Sequence, residues 1–167
     1  RMRLRAGILN DFPPLYVKDA PGKPRGLAID VLQEVAGQVG FDVDYVVVEN
    51  WAEGIEAMRQ GRVDLIPGIG LTEELQREFV FSSFMETIPV SLFVRAGTMD
   101  VAGLEGLAGR PIAVLEGGAA WQVLKTRPEL RLLLYHSIEP AVIAMLGGEV
   151  DAFVLPEWVM WKKLDDL

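Results

Sequence analysis

The residues best suited to bind something in this chain are small ones. In Gly61–Arg77, GRVDLIPGIGLTEELQR, an apolar run is stopped by Pro67 and followed by Gly68, Ile69, Gly70 and Thr72. The two glycines keep side chains away, so backbone N–H groups can approach a guest closely. Thr72 is a good N-cap, and Glu73 and Glu74 suit the positive first turn of a helix. A loop of this make at the carboxyl end of a strand is where α/β sheets usually hold ligands; a plain strand–helix connection would read the same way. A second small-residue loop, Glu116-Gly117-Gly118-Ala119, follows the apolar run Ile112–Leu115. Backbone amides at Gly68–Thr72 and at Gly117–Ala119 are candidates to hold an anion.

Other chemistry is scarce. The chain has no cysteine, which excludes disulfides, thiolate metal sites and cysteine nucleophiles. Its single histidine, His136, follows the strand-like run Leu132–Tyr135 and precedes a helix cap at Ser137, so it reads as a loop residue. No metal-ligand pattern and no cofactor motif is present, and none is expected. With 167 residues, half of them hydrophobic and 24% charged, the chain is a core-forming globular sequence of one or two small domains. A net charge of −8 with no basic stripe argues against nucleic acid as a partner. No apolar run is long enough to cross a bilayer, and no signal peptide is evident.

The elements that must position these loops alternate between strand and helix. Leu4–Leu9 reads as a buried strand, broken by Asn10-Asp11-Phe12-Pro13-Pro14, which holds Phe12 and Leu15 on a stiff loop. Pro21-Gly22-Lys23-Pro24 is a turn. Ala28, Val31, Leu32, Val35, Ala36 and Val39 recur at helical spacing until Gly40. Asp42–Val48 is a strand, and Trp51 opens a helix whose inward face includes Ile55 and Met58. The central stretch follows, then a packed return marked by Phe79, Phe81 and Phe84, then a strand over Val90–Val94. The polar, glycine-bearing stretch 95–110 is the expected hinge, with a first lobe over 1–94 and a second over 111–167. The pattern then restarts: strand Ile112–Leu115, a helix with Trp121, Val123 and Leu124, strand Leu132–Tyr135, and a helix with Val142, Ile143 and Leu146.

An internal echo supports two lobes of similar build. Ala57-Met58-Arg59-Gln60-Gly61-Arg62-Val63-Asp64 is matched by Ala144-Met145-Leu146-Gly147-Gly148-Glu149-Val150-Asp151. Each is a helix end, a glycine stop and a new strand opening with Val-Asp. If both lobes are α/β, their strand-end loops are expected to line a cleft that closes over a small molecule.

These landmarks resemble the type 2 periplasmic solute-binding proteins, in particular the family that includes polar amino-acid receptors. The resemblance rests on Gly7–Leu15, Gly22 with Gly26 and Asp30, Gly40, Trp51, Gly61–Asp64, Thr72, Phe81-Ser82 and Gly148–Ala152, in order along the chain. It implies an α/β, two-lobed flytrap fold, here without the family's C-terminal return to the first lobe, since the sequence ends within a helix that Pro156 begins. It also implies that Phe12 and Trp51 are aromatic pocket walls, with core packing as the alternative for Trp51. Asp11 suits either a polar or cationic tail or a turn. Trp158 and Trp161, at helical spacing, read as core.

The resemblance fails at the ligand groups. The family's receptors grip a carboxylate with an arginine three residues after the threonine; here that residue is Leu75. Arg77 lies about 200° further around a helix and should point elsewhere. The family's ammonium-binding aspartate falls at Pro156, with Glu157 beside it as the remaining candidate. Leucine cannot imitate a bidentate arginine. The expected guest is therefore a small organic solute, anionic or apolar, rather than an ordinary α-amino acid. The expected role is a periplasmic or extracellular, membrane-tethered sensor domain of a histidine kinase or diguanylate cyclase. The alternatives are a receptor for an amino-acid-type ABC permease and, further off, an enzyme like cyclohexadienyl dehydratase using Glu116 or Glu157 as acid or base.

Overall fold

A computed structural model describes residues 1–17 and 23–166; Pro21 and Gly22, and so half of the expected turn, lie outside the described residues. The chain forms two compact α/β units. The first comprises Arg1–Ile69 together with the residues from Trp161 onward; the second comprises Gly70–Met160.

In the first unit, β1 (Arg3–Leu9) and β2 (Asp42–Val48) pair in parallel, from Arg3 opposite Asp42 to Leu9 opposite Val48. The helix α1 (Leu27–Val39) covers one face, where Ala6, Leu32, Ala36 and Phe41 form a core flanked by Leu4, Val43, Tyr45 and Leu65. Its inward stripe is Ala28, Ile29, Leu32 and Ala36, so Val35 and Val39, expected inside, are exposed. Gly40 ends it in the left-handed conformation, which L side chains disfavour. On the other face, α2 (Trp51–Arg59) begins at Asn50, whose side chain accepts from the Glu53 amide at 2.8 Å. Gly54 of α2 lets the helix approach Ile66 and Val48: a Cβ there would lie 3.3 Å from the Ile66 side chain and 3.5 Å from that of Val48. The expected strand at Val63–Ile66 reduces to a single parallel bridge between Leu65 and Ala6, because Pro67 ends the pairing at once.

The second unit opens with α3 (Glu73–Glu78), capped by Thr72, whose hydroxyl accepts from the Leu75 amide at 3.3 Å. Its sheet has the order β3-β6-β4-β5, built from β3 (Val90–Val94), β4 (Pro111–Leu115), β5 (Arg131–Tyr135) and β6 (Ala152–Pro156). The pairs β4–β5 and β4–β6 are parallel, and β3–β6 is antiparallel. Leu107, Ile112, Val114, Leu124, Leu130, Ala152 and Val154 form the core, with Leu124 supplied by α4 (Ala119–Leu124). The helix α5 (Ile138–Gly147) buries Ala141, Val142, Ala144 and Met145, and leaves Ile143 and Leu146 in solvent. The last helix, α6 (Glu157–Asp165), buries Val159 and Met160, while Trp158 and Trp161 are exposed rather than core.

Two expectations about this region change. The stretch 95–110 lies wholly inside the second unit, because β3 joins that unit's sheet and Leu107 is fully buried in its core. The expected packed return over Phe79–Phe84 is only partly packed: Phe79 and Phe81 are half-buried, while Val80 and Phe84 are exposed.

The sequence echo is a repeated hydrogen-bonded junction. The amides of Arg62 and Val63 donate to Ala57 O at 2.8 and 3.3 Å; those of Glu149 and Val150 donate to Ala144 O at 2.9 and 3.3 Å. Gly61 and Gly148 both take positive φ to turn the chain. Val63 and Val150 are then buried, and the aspartate that follows is held by arginine. Arg5 grips Asp64 through Nη2 at 2.8 Å and Nε at 3.0 Å, and its backbone amide adds a third bond at 2.8 Å. Arg110 and Arg95 hold Asp151 at 2.9 and 3.2 Å.

These bonds depress both carboxyls. The Arg5 side chain first, then its amide, hold Asp64 down at about 2 against an ordinary 3.8. Arg110 is the main cause of the same direction at Asp151. A depressed carboxylate contributes stability above its unfolded pKa and loses it as pH falls toward the folded value. A chemical-shift titration of Asp64 should therefore give a midpoint near 2, and Asp64→Asn should flatten the acid limb of the stability curve below about pH 4. A midpoint at the ordinary aspartate value would remove the clamp.

Candidate functional site

Each unit gathers its loops at the carboxyl ends of its parallel strands, the edge at which α/β sheets place ligands. In the first unit this edge carries Asn10–Tyr16 after β1, Trp51 after β2, and Pro67–Gly68 after the Leu65 bridge. The loop Phe12–Tyr16 closes on itself: the Phe12 amide donates to Tyr16 O at 2.8 Å and the Tyr16 amide to Phe12 O at 3.0 Å. Pro13–Pro14 is a cis peptide. The first amides of α1 are satisfied by this loop, Leu27 N on Pro14 O at 2.9 Å and Ala28 N on Leu15 O at 3.2 Å. Gly26, at φ 124°, is required here, because a Cβ would sit 2.2 Å from Leu15 O.

Phe12 and Trp51, expected as pocket walls, are brought together. Their rings meet edge to face with centroids 5.2 Å apart, and Tyr16 packs on Trp51 at 5.9 Å. All three are buried. The Tyr16 hydroxyl donates to the carbonyl of Pro67, and burial pushes its phenol well above the usual tyrosine range, so it remains a donor. Tyr16 thus joins the loop after β1, the start of α2 and the approach to Gly68. Gly68 is in the left-handed region at φ 81°, and Ile69 is half-buried. Asp11 does not point an unpartnered carboxylate into solvent: Lys163 of α6 is bonded to it.

In the second unit the edge carries Glu116–Ala119 after β4, His136 after β5 and Glu157 after β6. Gly117 has φ 72°, and Gly117 and Gly118 are buried. The Gly118 amide donates to Leu115 O at 3.0 Å, so the expected anion loop has this donor already engaged. A Cβ on Gly70 would come within 2.9 Å of the Ala119 Cβ; glycine permits that approach. Near it, Lys125 bonds Glu74 at 2.5 Å and Gln122 at 2.7 Å and lies 4.4 Å above the Trp121 ring. Thr72 serves as the cap of α3. Glu157 accepts from Ser91 Oγ at 2.8 Å, and its amide donates to Pro89 O at 2.9 Å, tying α6 to β3. His136 Nδ1 lies 2.8 Å from Glu116 Oε2, a pairing that sequence distance gave no reason to expect.

Leu75 stands three residues after Thr72, where the resemblance implies the family's arginine. Leu75 is buried within the second unit, while Arg77 is exposed and lies 3.8 Å from Glu73 on its own helix. Among the described residues no cluster of histidines and carboxylates could hold a metal ion, and no helix is long and apolar enough to cross a membrane.

The family model for bacterial extracellular solute-binding proteins, family 3, matches residues 4–153. The glutamine-binding protein of Geobacillus stearothermophilus is 24% identical over 166 residues, covering 96% of this chain and 63% of that protein. The curated relatives that the chain matches are longer: it spans 58% to 63% of their length. Among solved structures, an ancestral arginine-binding protein bound to arginine is 27% identical, with a TM-score of 0.86, over 99% of this chain and 75% of that one. The ancestral amino acid-binding protein AncCDT-1, a precursor of cyclohexadienyl dehydratase, is 25% identical with a TM-score of 0.81, over 93% and 71%.

The Tyr16 bond is testable apart from any ligand. Tyr16→Phe keeps the ring but leaves the Pro67 carbonyl without its donor. Denaturant unfolding should show a loss of about 1–3 kcal/mol, with little change in slope. A loss within about 0.5 kcal/mol would mean that the hydroxyl does not hold this loop.

Proposed function

Because the chain belongs to family 3 of the bacterial extracellular solute-binding proteins, we propose that it is a binding module for a small organic solute. The guest is one that does not rely on an arginine–carboxylate grip. The observation that carries this reading is Leu75: at the position of the family's arginine the chain has a buried apolar side chain, and Arg77 is directed to Glu73. In the first unit the contacts are proposed at Asp11, Phe12, Trp51, Gly68 and Ile69; in the second, at Gly70, Thr72, Gly117, Gly118, Ala119 and Glu157. Binding in the periplasm or outside the cell shifts a conformational equilibrium, and a membrane-embedded signalling or permease partner reads that shift.

The sensor role for a kinase or cyclase is supported by retention of the fold alongside loss of the amino-acid groups. The second reading, delivery of an amino acid to an ABC permease, is favoured by relatives named for glutamine and arginine binding. The full reading frame separates the two. A kinase or cyclase domain on the same polypeptide supports the sensor; a binding domain alone, encoded beside permease genes, overturns it.

Solute class is tested by thermal denaturation against a panel. A ligand at a hundred times its Kd stabilises by about 2.7 kcal/mol, which shifts Tm by several degrees. Glutamine, arginine and the other common amino acids at about millimolar concentration should shift Tm by less than about one degree. A clear rise with any of them would show that Leu75 does not exclude a zwitterion.

A further inference from the structure

Lys163 is the one charged side chain among the described residues that is buried, with 9% of its surface exposed. Its ammonium is bonded to Asp11, 152 residues earlier in the chain, and the two side chains are 11% and 27% exposed. The other ion pairs along this sheet behave differently. Arg3–Asp44 and Arg5–Asp64 are solvent-facing. Among the described residues, only the Asp11–Lys163 pair stands at the carboxyl end of β1, next to Phe12 and its contact with Trp51. A carboxylate so enclosed needs a cation, because removing it from water unpaired is costly. The cation is supplied by the chain itself.

We propose that Lys163 is an internal counterion that occupies Asp11 and so sets the first unit's rim against cationic solutes. The inference rests on the solute-binding reading given above and adds a specificity-determining residue to it. Lysine suits the role: it is a single charge on a flexible stem, with no planar fork to lock it in one geometry. With Lys163 in place, a guest ammonium or guanidinium meets a neutralised carboxylate and a like charge beside it. With Lys163 removed, the same carboxylate becomes a cation site.

Agmatine tests this cleanly, because it carries an amine and a guanidinium but no carboxylate, so Leu75 has no bearing on the result. Calorimetric titration of the whole chain should give no agmatine binding for the unmodified protein or for Lys163→Arg. Lys163→Met should bind it at least about tenfold more tightly than the unmodified protein does, and Lys163→Met with Asp11→Asn should lose that gain. A folded Lys163→Met that ignores agmatine would overturn the proposal, as would an unmodified protein that binds it equally well. If Lys163→Met fails to fold alone, propylammonium should restore its thermal transition saturably, and tetramethylammonium should not. Equal rescue by both ions, or by neither, would also overturn it. Failure of the solute-binding reading looks different: the unmodified chain would then respond to no solute of any class.

Discussion

The structure depends on one junction used twice, the tight turn from a helix end into a strand that opens with Val-Asp. Its energy and its geometry come from different parts. Burying Val63 or Val150 contributes about 1.5–3 kcal/mol. An arginine–carboxylate pair as open to water as Arg5–Asp64 contributes far less, since solvent screens the attraction between exposed charges. Burial therefore supplies the stability. The paired hydrogen bonds from Arg5 select one register, and a slip of one residue would turn Val63 out of the core. With the amino ends of the strands set, the positions of the loops at the carboxyl ends follow.

Those loops are stiffened by shared contacts rather than by regular structure. The segment Phe12–Tyr16 has only one small bridge of its own, but its carbonyls cap α1, its aromatic rings pack on Trp51, and the Tyr16 hydroxyl reaches Pro67. Each of these contacts is modest alone. Together they connect three separate stretches of sequence, so displacing any one of them disturbs the others. A loop cluster made this way is preorganised, and if the proposed guest binds there the ordering cost of taking it up is lowered.

What was legible in the sequence follows from how far apart the interacting residues are. Helical period and glycine stops placed α1, α2 and α5, because those signals are local, and Thr72 was readable as a cap for the same reason. The Val-Asp echo was visible as text, and the structure supplies its reason in matched hydrogen bonds to Ala57 and Ala144. The stretch 95–110 reads as a hinge because composition reports polarity, whereas membership of a unit is decided by pairing; β3 goes with β6, with Val90 opposite Pro156, 66 residues further on. The aromatic return over Phe79–Phe84 is only partly packed for a related reason, as hydrophobic residues alone do not say what they pack against. Asp11 was read as either turn or contact. Its partner, 152 residues on, leaves no trace in local pattern.

Six hydrogen-bonding groups at these edges share a further property: each is already engaged within its own unit. Asp11 has Lys163, Tyr16 has Pro67, Glu157 has Ser91, Glu116 has His136, Thr72 has the Leu75 amide, and the Gly118 amide has Leu115. A guest arriving at such an edge does not complete a set of unpaired charges. It must use the remaining lone pairs of groups that are half satisfied, or exchange itself for an internal partner. Exchange returns only the difference between the two bonds, so polar groups here discriminate between solutes more than they generate affinity. On the proposed reading affinity comes largely from apolar contact, a balance that Leu75 in place of an arginine fits.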